Sequence, residues 1–299
     1  LIESVIDMKE SRTALGVAWL RTAHQVLDAR PLILEDAAVV ELLGRETIER
    51  IAHASARLQT PGARLLRSHV VLRSRFTEDR LEQSLGRGVK QFVILGAGYD
   101  TFFARQPAWA EELKIFEIDQ PATQADKLAR IAAAGMKVPA NVIFGSVNFE
   151  VESVEDGLRR HGVNFNAPTV FSWLGVTMYL TESAVDATLN AVLQFPHGSE
   201  IVLTFASRET KDLSDAVADS PSPSDSDVAS GSKLASIVAG IGEPWITYYQ
   251  PDEIERKLRG IGFSDVLLMT PEMASERYFA GRADALPPPR KTNLLSAMV

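Results

Sequence analysis

Apolar and polar positions alternate in two different ways along this chain. Through residue 88 the pattern has helix spacing. Leu15, Trp19, Thr22 and Val26 share one face until Arg30-Pro31 interrupts, since proline inside a helix removes a hydrogen bond and clashes with the preceding turn. A second segment runs through Ala37, Val40 and Leu43, and a third through Ile48, Ile51 and Leu58 to Thr60-Pro61. A fourth, over 63–85, sets Leu65, His69, Leu72 and Phe76 on one side. Beyond residue 88, short apolar runs alternate with amphipathic stretches, the pattern of β/α units around a parallel sheet. It predicts strands at 92–95, 114–118, 141–146, 169–180 and 200–205, then 262–269 and 277–281 as a closing hairpin. Helices are expected after the first strand, from Pro121 to Ala134, over 154–160 and over 251–258.

The most informative stretch is 91–126, QFVILGAGYDTFFARQPAWAEELKIFEIDQPATQAD. It reads strand, glycine turn, helix, strand, acid, which is the first half of a nucleotide-binding βαβ unit. Gly96, Ala97 and Gly98 form the turn, where glycine lets backbone approach a ligand closely. Asp119 ends the second strand, where a carboxylate can accept both ribose hydroxyl protons, and Gln120 follows it. A glycine turn and a strand-end acid are each common by themselves; their register with the two strands makes the case. The third position of the dinucleotide fingerprint is Thr101, not Gly or Ala, which disfavours a pyrophosphate. The unit suits a nucleoside without one, of which S-adenosylmethionine (SAM) is the commonest.

Further candidates flank this unit. Arg73-Ser74-Arg75-Phe76-Thr77-Glu78-Asp79 reads either as a solvated helix face with pairs such as Arg75 with Asp79, or as a segment in which one arginine offers its fork to a ligand carboxylate. Asn148 and Phe149, at the exit of the third strand, read equally well as adenine contacts or as a strand-end polar and a core aromatic. Ser172 to Tyr179 belongs to the floor or wall of the site, because ligands of open α/β sheets lie beyond the carboxyl ends of the strands. His24, His53 and His69 lack metal-ligand spacing and read as structural or solvated. The Ser-, Pro- and Asp-rich stretch 220–227 lies in an insertion, about 206–246, too polar to bury much surface. A substrate lid is the economical reading, a passive loop the plain one.

Composition narrows the field. The 299 residues carry 45% hydrophobic and 23% charged side chains, as ordinary soluble globular chains do. A net charge of −8 without a basic stripe argues against nucleic acid as the main partner. Without cysteine there are no disulfides, thiolate metal sites or cysteine nucleophiles. No apolar run reaches the ~18 residues of a membrane span, and Leu1 is not followed by a signal-peptide pattern, so a cytoplasmic location is expected.

Six ordered motifs resemble the leucine carboxyl methyltransferase-like group, in its bacterial branch of SAM-dependent methyltransferases. They are SRTALGVAWLRTAH (11–24), RSRFTEDRL (73–81), LGAGYDTFFAR (95–105), FEIDQPATQADK (116–127), SVNFE (146–150) and WLGVTMYLTES (173–183). The resemblance covers nearly the whole chain. It implies an α/β, Rossmann-like class I methyltransferase sheet of seven strands, the last antiparallel. It also implies an N-terminal helical cap over 1–88 and a SAM-binding domain over 89–299 carrying the lid. Gly96, Ala97 and Gly98 would line SAM, Asp119 would hold its ribose with Gln120 beside it among the cofactor-binding residues, Asn148 and Phe149 would meet its adenine and Arg75 its methionine carboxylate, with Ser172 in the floor. Two positions depart from the family pattern: Asn148 replaces an Asp, and Leu174 replaces a Glu that would meet the SAM amino group. The expected activity is O-methylation of a carboxylate or hydroxyl on a small or lipid-like acceptor. A non-catalytic SAM-binding protein and a nicotinamide oxidoreductase are the rivals. Thr101 and the lack of a Tyr-x-x-x-Lys pair after the fourth strand count against the second.

Overall fold

The computed structural model describes residues 11–148, 151–207, 239 and 243–299. Most of the insertion, and Phe149, lie outside the described residues. The amino-terminal helices are α1 (Arg12–Leu27), α2 (Ala37–Leu43), α3 (Glu46–His53), α4 (Ser55–Leu58) and α5 (Pro61–Ser84). Local chemistry sets their starts. The Ser11 hydroxyl accepts the Ala14 N–H, Asp36 accepts that of Val39, and Pro61 opens α5 where a missing N–H costs nothing.

Seven strands follow: β1 (Gln91–Leu95), β2 (Lys114–Asp119), β3 (Val142–Ser146), β4 (Thr169–Trp173), β5 (Glu200–Thr204), β6 (Ser264–Leu268) and β7 (Leu294–Met298). Between them lie α6 (Phe102–Arg105), α7 (Pro121–Ala133), α8 (Val154–Arg160) and α9 (Glu182–Val192); helix Pro251–Ile261 precedes β6. They form one sheet in the order β3-β2-β1-β4-β5-β7-β6. The first five strands are parallel, and β7 runs antiparallel between β5 and β6. This is the Rossmann-like layout expected, with order reversing at β1 and β4.

Strand periodicity divides the core in two. Val93, Leu95, Phe116, Ile118, Phe171 and Trp173 pack against α8, α9 and helix Pro251–Ile261 through Leu158, Leu189 and Leu258. Phe92, Ile94, Ile115 and Val170 face the other way and share a cluster with Ala18, Val39 and Leu42 of the amino-terminal helices. The cap is therefore continuous with the sheet's second core layer. Among the described residues no helix is long and apolar enough to cross a membrane.

Three expectations need correction. Residues 277–281 are not a strand: Thr270 caps the turn Pro271–Ala274, which runs into a π-helical turn, Ser275–Phe279. The seventh strand is Leu294–Met298, whose backbone fills the gap between β5 and β6. The fourth strand stops at Trp173, because Gly175 turns with φ of 76° and a 3₁₀ turn, Thr177–Tyr179, follows. The helix after the glycine turn is a single turn, α6, ended before Pro107.

Candidate functional site

The carboxyl ends of β1, β2 and β4 open on one side of the sheet, under the first turn of α1 and the middle of α5. The glycine turn is tied to β2: the Gly96 and Ala97 N–H groups both donate to the Ile118 carbonyl, at 2.8 and 3.1 Å. Gly96 has φ of 68°, and a Cβ there would lie 2.3 Å from Val176 Cγ2. The turn thus packs directly on the exit of β4. Gly96→Ala is expected to cost about 1–2 kcal/mol for the left-handed backbone and about 1–3 kcal/mol for the collision. Adding Val176→Ala should recover only the second part, which thermal denaturation of the single and double variants measures.

Asp119 accepts two backbone N–H bonds, from Gly98 at 2.5 Å and Gln120 at 2.6 Å. Burial nevertheless raises its pKa above the ordinary value, against the pull of those donors and of Lys127. Each carboxylate oxygen keeps further lone-pair capacity for a ligand hydroxyl. Gln120 is exposed at the start of α7. Asn148 is half-buried just past β3, its carbonyl accepting from the Val151 and Glu152 N–H groups. Ser172 is buried within β4, beside Ile94 and Val202, rather than at the strand's end.

The structure does not bring Arg75 to this cleft. Its guanidinium is 47% exposed and bonds Asp79 at 2.8 Å, while the Tyr278 hydroxyl donates to the same carboxylate. The arginine in the cleft is Arg73, which packs on the face of Gly175: a Cβ on that glycine would lie 2.8 Å from Arg73 Nη1. The Arg73 carbonyl accepts from the Thr77 hydroxyl at 2.8 Å, while its guanidinium has no hydrogen bond or ion pair among the described residues. Burial, with Arg21 nearby, pushes its pKa down to about 10, while Tyr179 and Asp100 oppose the shift. Arg73 is half-buried, and a guanidinium partly withdrawn from water without a partner favours a nearby anion.

Around the turn, charges are locked. Arg21 pairs with Asp36 at 2.5 Å and donates to the Thr101 hydroxyl at 2.7 Å, and Thr101 donates to Asp36 at 2.6 Å. Arg105 forks onto Glu78, and Arg21 reaches Asp100 at 3.5 Å. Burial would raise the Asp100 pKa, but Arg21, Arg105, Lys127 and the Phe102 N–H outweigh it and hold the group ionised. Thr101 therefore has its own task in place of the third glycine: it joins α1 and α2 to the turn. Arg21, Asp36, Asp100 and Arg73 were not among the expected site residues; all but Asp36 sit in quoted motifs, but their convergence is tertiary.

The roof comes from the chain after the insertion. Glu243 accepts from the Ser11 hydroxyl and the Arg12 N–H, and Ile246 donates to the Met178 carbonyl at 2.8 Å. The Tyr179 hydroxyl lies near Trp245 and Thr13, and burial raises its pKa above the ordinary value. Tyr249 is buried and Tyr248 contacts the Trp245 carbonyl at 3.4 Å, so both pack within this strap; Arg208 lies outside the described residues.

Sheet order, glycine turn and strand-end acid together define a SAM-dependent methyltransferase. Solved structures share the fold. A DUF574 family protein from Streptomyces avermitilis aligns at TM-score 0.57 with 13% identity over 95% of each chain. A putative methyltransferase from Thermobifida fusca aligns at 0.55 with 18% identity, over 99% of this chain and 96% of its own. In sequence, the putative SAM-dependent methyltransferase YktD of Bacillus subtilis is 29% identical over 93% of this chain and 94% of its own length. The family model for leucine carboxyl methyltransferase matches residues 14–193. The chain belongs to the leucine carboxyl methyltransferase family, and SAM is its cofactor.

Proposed function

We propose that the chain methylates an oxygen, of a carboxylate or hydroxyl, on a small or lipid-like acceptor. The observation that carries the cofactor site is Arg73: a half-buried guanidinium beside Gly175 at the carboxyl end of the sheet, with no hydrogen bond or ion pair among the described residues. The residues present fit the cofactor. Arg73, rather than Arg75, would take its methionine carboxylate, Asp119 and Gln120 would face its ribose, and Asn148 and Phe149 its adenine. Gly96, Ala97 and Gly98 would line its length, with Ser172 beneath in the floor, the helices of 1–88 as cap and 89–299 as binding domain. When bound, SAM supplies a methyl group on a sulfonium that leaves as a neutral thioether. The protein's task is then to hold an acceptor oxygen in line and to exclude water. A carboxylate acceptor needs no general base; a hydroxyl does.

Calorimetric titration with SAM and S-adenosylhomocysteine tests the site. The wild type should bind both with micromolar affinity. Asp119→Asn, which keeps one acceptor oxygen for the turn, should bind at least about tenfold more weakly, the loss of hydrogen bonds to a charged group. No binding of either ligand by the wild type would sink the proposal. A radiolabelled methyl group appearing on an added acid or alcohol separates an enzyme from a SAM-binding protein without turnover.

A further inference from the structure

The first turn of α1 and the strap after the insertion together cross the carboxyl ends of the strands. Ala14 rests on the glycine turn, since a Cβ on Gly98 would lie 3.0 Å from the Ala14 Cβ. The Ser11 N–H donates to the Thr123 hydroxyl, in the first turn of α7, at 3.3 Å. The start of α1 therefore lies over the exits of β1 and β2. Residues 243–249 continue the crossing to β4 and β5. At one end Glu243 accepts from the Arg12 N–H at 3.0 Å and from the Ser11 hydroxyl at 3.3 Å. At the other, the Ile246 and Thr247 N–H groups donate to the Met178 carbonyl and the Thr247 hydroxyl donates to that of Leu180. The Tyr249 N–H then donates to the Ala206 carbonyl, just past β5. The two ends are not equally secure. Thr247 and Tyr249 are buried, and Gln250 caps helix Pro251–Ile261 directly behind them. Glu243 is half-buried, and one carboxylate makes the whole of its junction with α1. It supplies negative charge to a helix with no acid in its own first turn. Against that gain, the junction buries the Thr13 hydroxyl and the Trp245 indole N–H without a hydrogen-bond partner among the described residues. Opening would return both to water, which offsets the loss of the Glu243 bonds and leaves the closed form narrowly favoured.

We infer that Glu243 is a latch: its release from the amino end of α1 lets residues 243–246 swing about Thr247, and the cofactor enters and leaves through the gap. This rests on the placement of SAM proposed above and gives Glu243, which that placement does not use, control over rates of exchange. A latch and a ligand contact leave different kinetic marks. Removing a contact speeds dissociation and leaves association unchanged. Removing a latch enlarges the open fraction, and association, which proceeds only through the open form, speeds up with it.

The test is rapid-filtration binding of tritiated S-adenosylhomocysteine to the whole protein, as wild type and as Glu243→Ala. Association should be roughly tenfold faster in the variant, the factor expected for lost hydrogen bonds to a charged group, and dissociation should rise at least as much. Glu243→Gln keeps one acceptor oxygen and should fall between the two; it carries the test should the alanine variant not fold. Faster dissociation with unchanged association would make Glu243 a ligand contact and overturn the latch, and two unchanged rates would overturn it as well. In both of those outcomes the wild type still binds, so the cofactor reading stands. Failure of S-adenosylhomocysteine to bind the wild type would bring down both, and calorimetry identifies that case.

Discussion

Arg73→Ala should weaken S-adenosylhomocysteine binding on the order of 10²-fold, while Arg75→Ala leaves it within about twofold. Truncating one side of a desolvated, hydrogen-bonded charge pair costs about 2–5 kcal/mol, because the other charge is left buried and unpaired. Arg75 spends its fork on Asp79 at a half-exposed site, where such pairs contribute about 0–1 kcal/mol to stability and nothing to a distant ligand. The free protein should respond in the opposite sense. An unpaired guanidinium resting on Gly175 destabilises the unliganded fold, so Arg73→Met should raise the melting temperature as it abolishes binding. Calorimetry and thermal denaturation of the three variants check both halves. If Arg75→Ala were the variant that lost affinity, the helix face assigned to the cofactor would be wrong.

The choice between those two arginines turns on which of them faces the sheet. Positions two apart on a helix point about 200° apart, so only one of Arg73 and Arg75 can face the sheet. His69, Leu72 and Phe76 lie at spacings of three and four and define the inner stripe of α5, with Leu72 and Phe76 buried. Arg73 is on that stripe, one residue from Leu72 and three from Phe76, and Arg75 is off it. The stripe is legible in the spacing of His69, Leu72 and Phe76 alone. Strand β1, the glycine turn, β2 and Asp119 were read correctly as elements, because a central parallel strand is buried on both faces and leaves an unbroken apolar run. The start of α7 was equally plain, with Pro121 at its first position.

The seventh strand was hidden for a physical reason. Leu294-Leu295-Ser296-Ala297-Met298 contains no β-branched or aromatic residue, so local preference says little, and only slots on β5 and β6 make it a strand. Residues 277–279 carry two aromatics and looked better, yet the cap on Thr270 had already committed that stretch to a helical path. Likewise nothing in the linear pattern announces that Thr101 holds Arg21, Arg105 and Asp36 together, since those partners come from three separate elements. Local chemistry fixed the elements; long-range pairing fixed the edge of the sheet and the charges of the site.

Lys127→Met should cost about 3–5 kcal/mol of stability above neutral pH, the cost of leaving a buried charge without its partner. Lys127 of α7 and Glu117 of β2 are both fully buried and ion-paired, with the ammonium about 5.5 Å from the centres of the Phe103 and Phe144 rings. One Glu117 oxygen has no hydrogen bond. Burial, reinforced by Asp100 and opposed by Lys127, raises the Glu117 pKa from 4.5 to about 7. A raised carboxyl pKa means the native state binds the extra proton, so its contribution is complete below pH 4.5 and is lost as pH climbs through 7. Without Lys127 the native carboxyl gives up its proton still less readily. The variant should therefore approach wild-type stability near pH 5 and fall away steeply towards pH 8.5. Glu117→Gln with Lys127→Met removes both charges and should recover most of the loss while flattening that dependence. Urea unfolding at pH 5, 7 and 8.5 reads all three chains. The site should feel the same change, because Lys127 also draws down the pKa of Asp100 and of Asp119 two residues along β2. A single variant as stable as wild type at pH 8.5 would mean that the pair is solvated in solution and that β2 holds Asp119 without it.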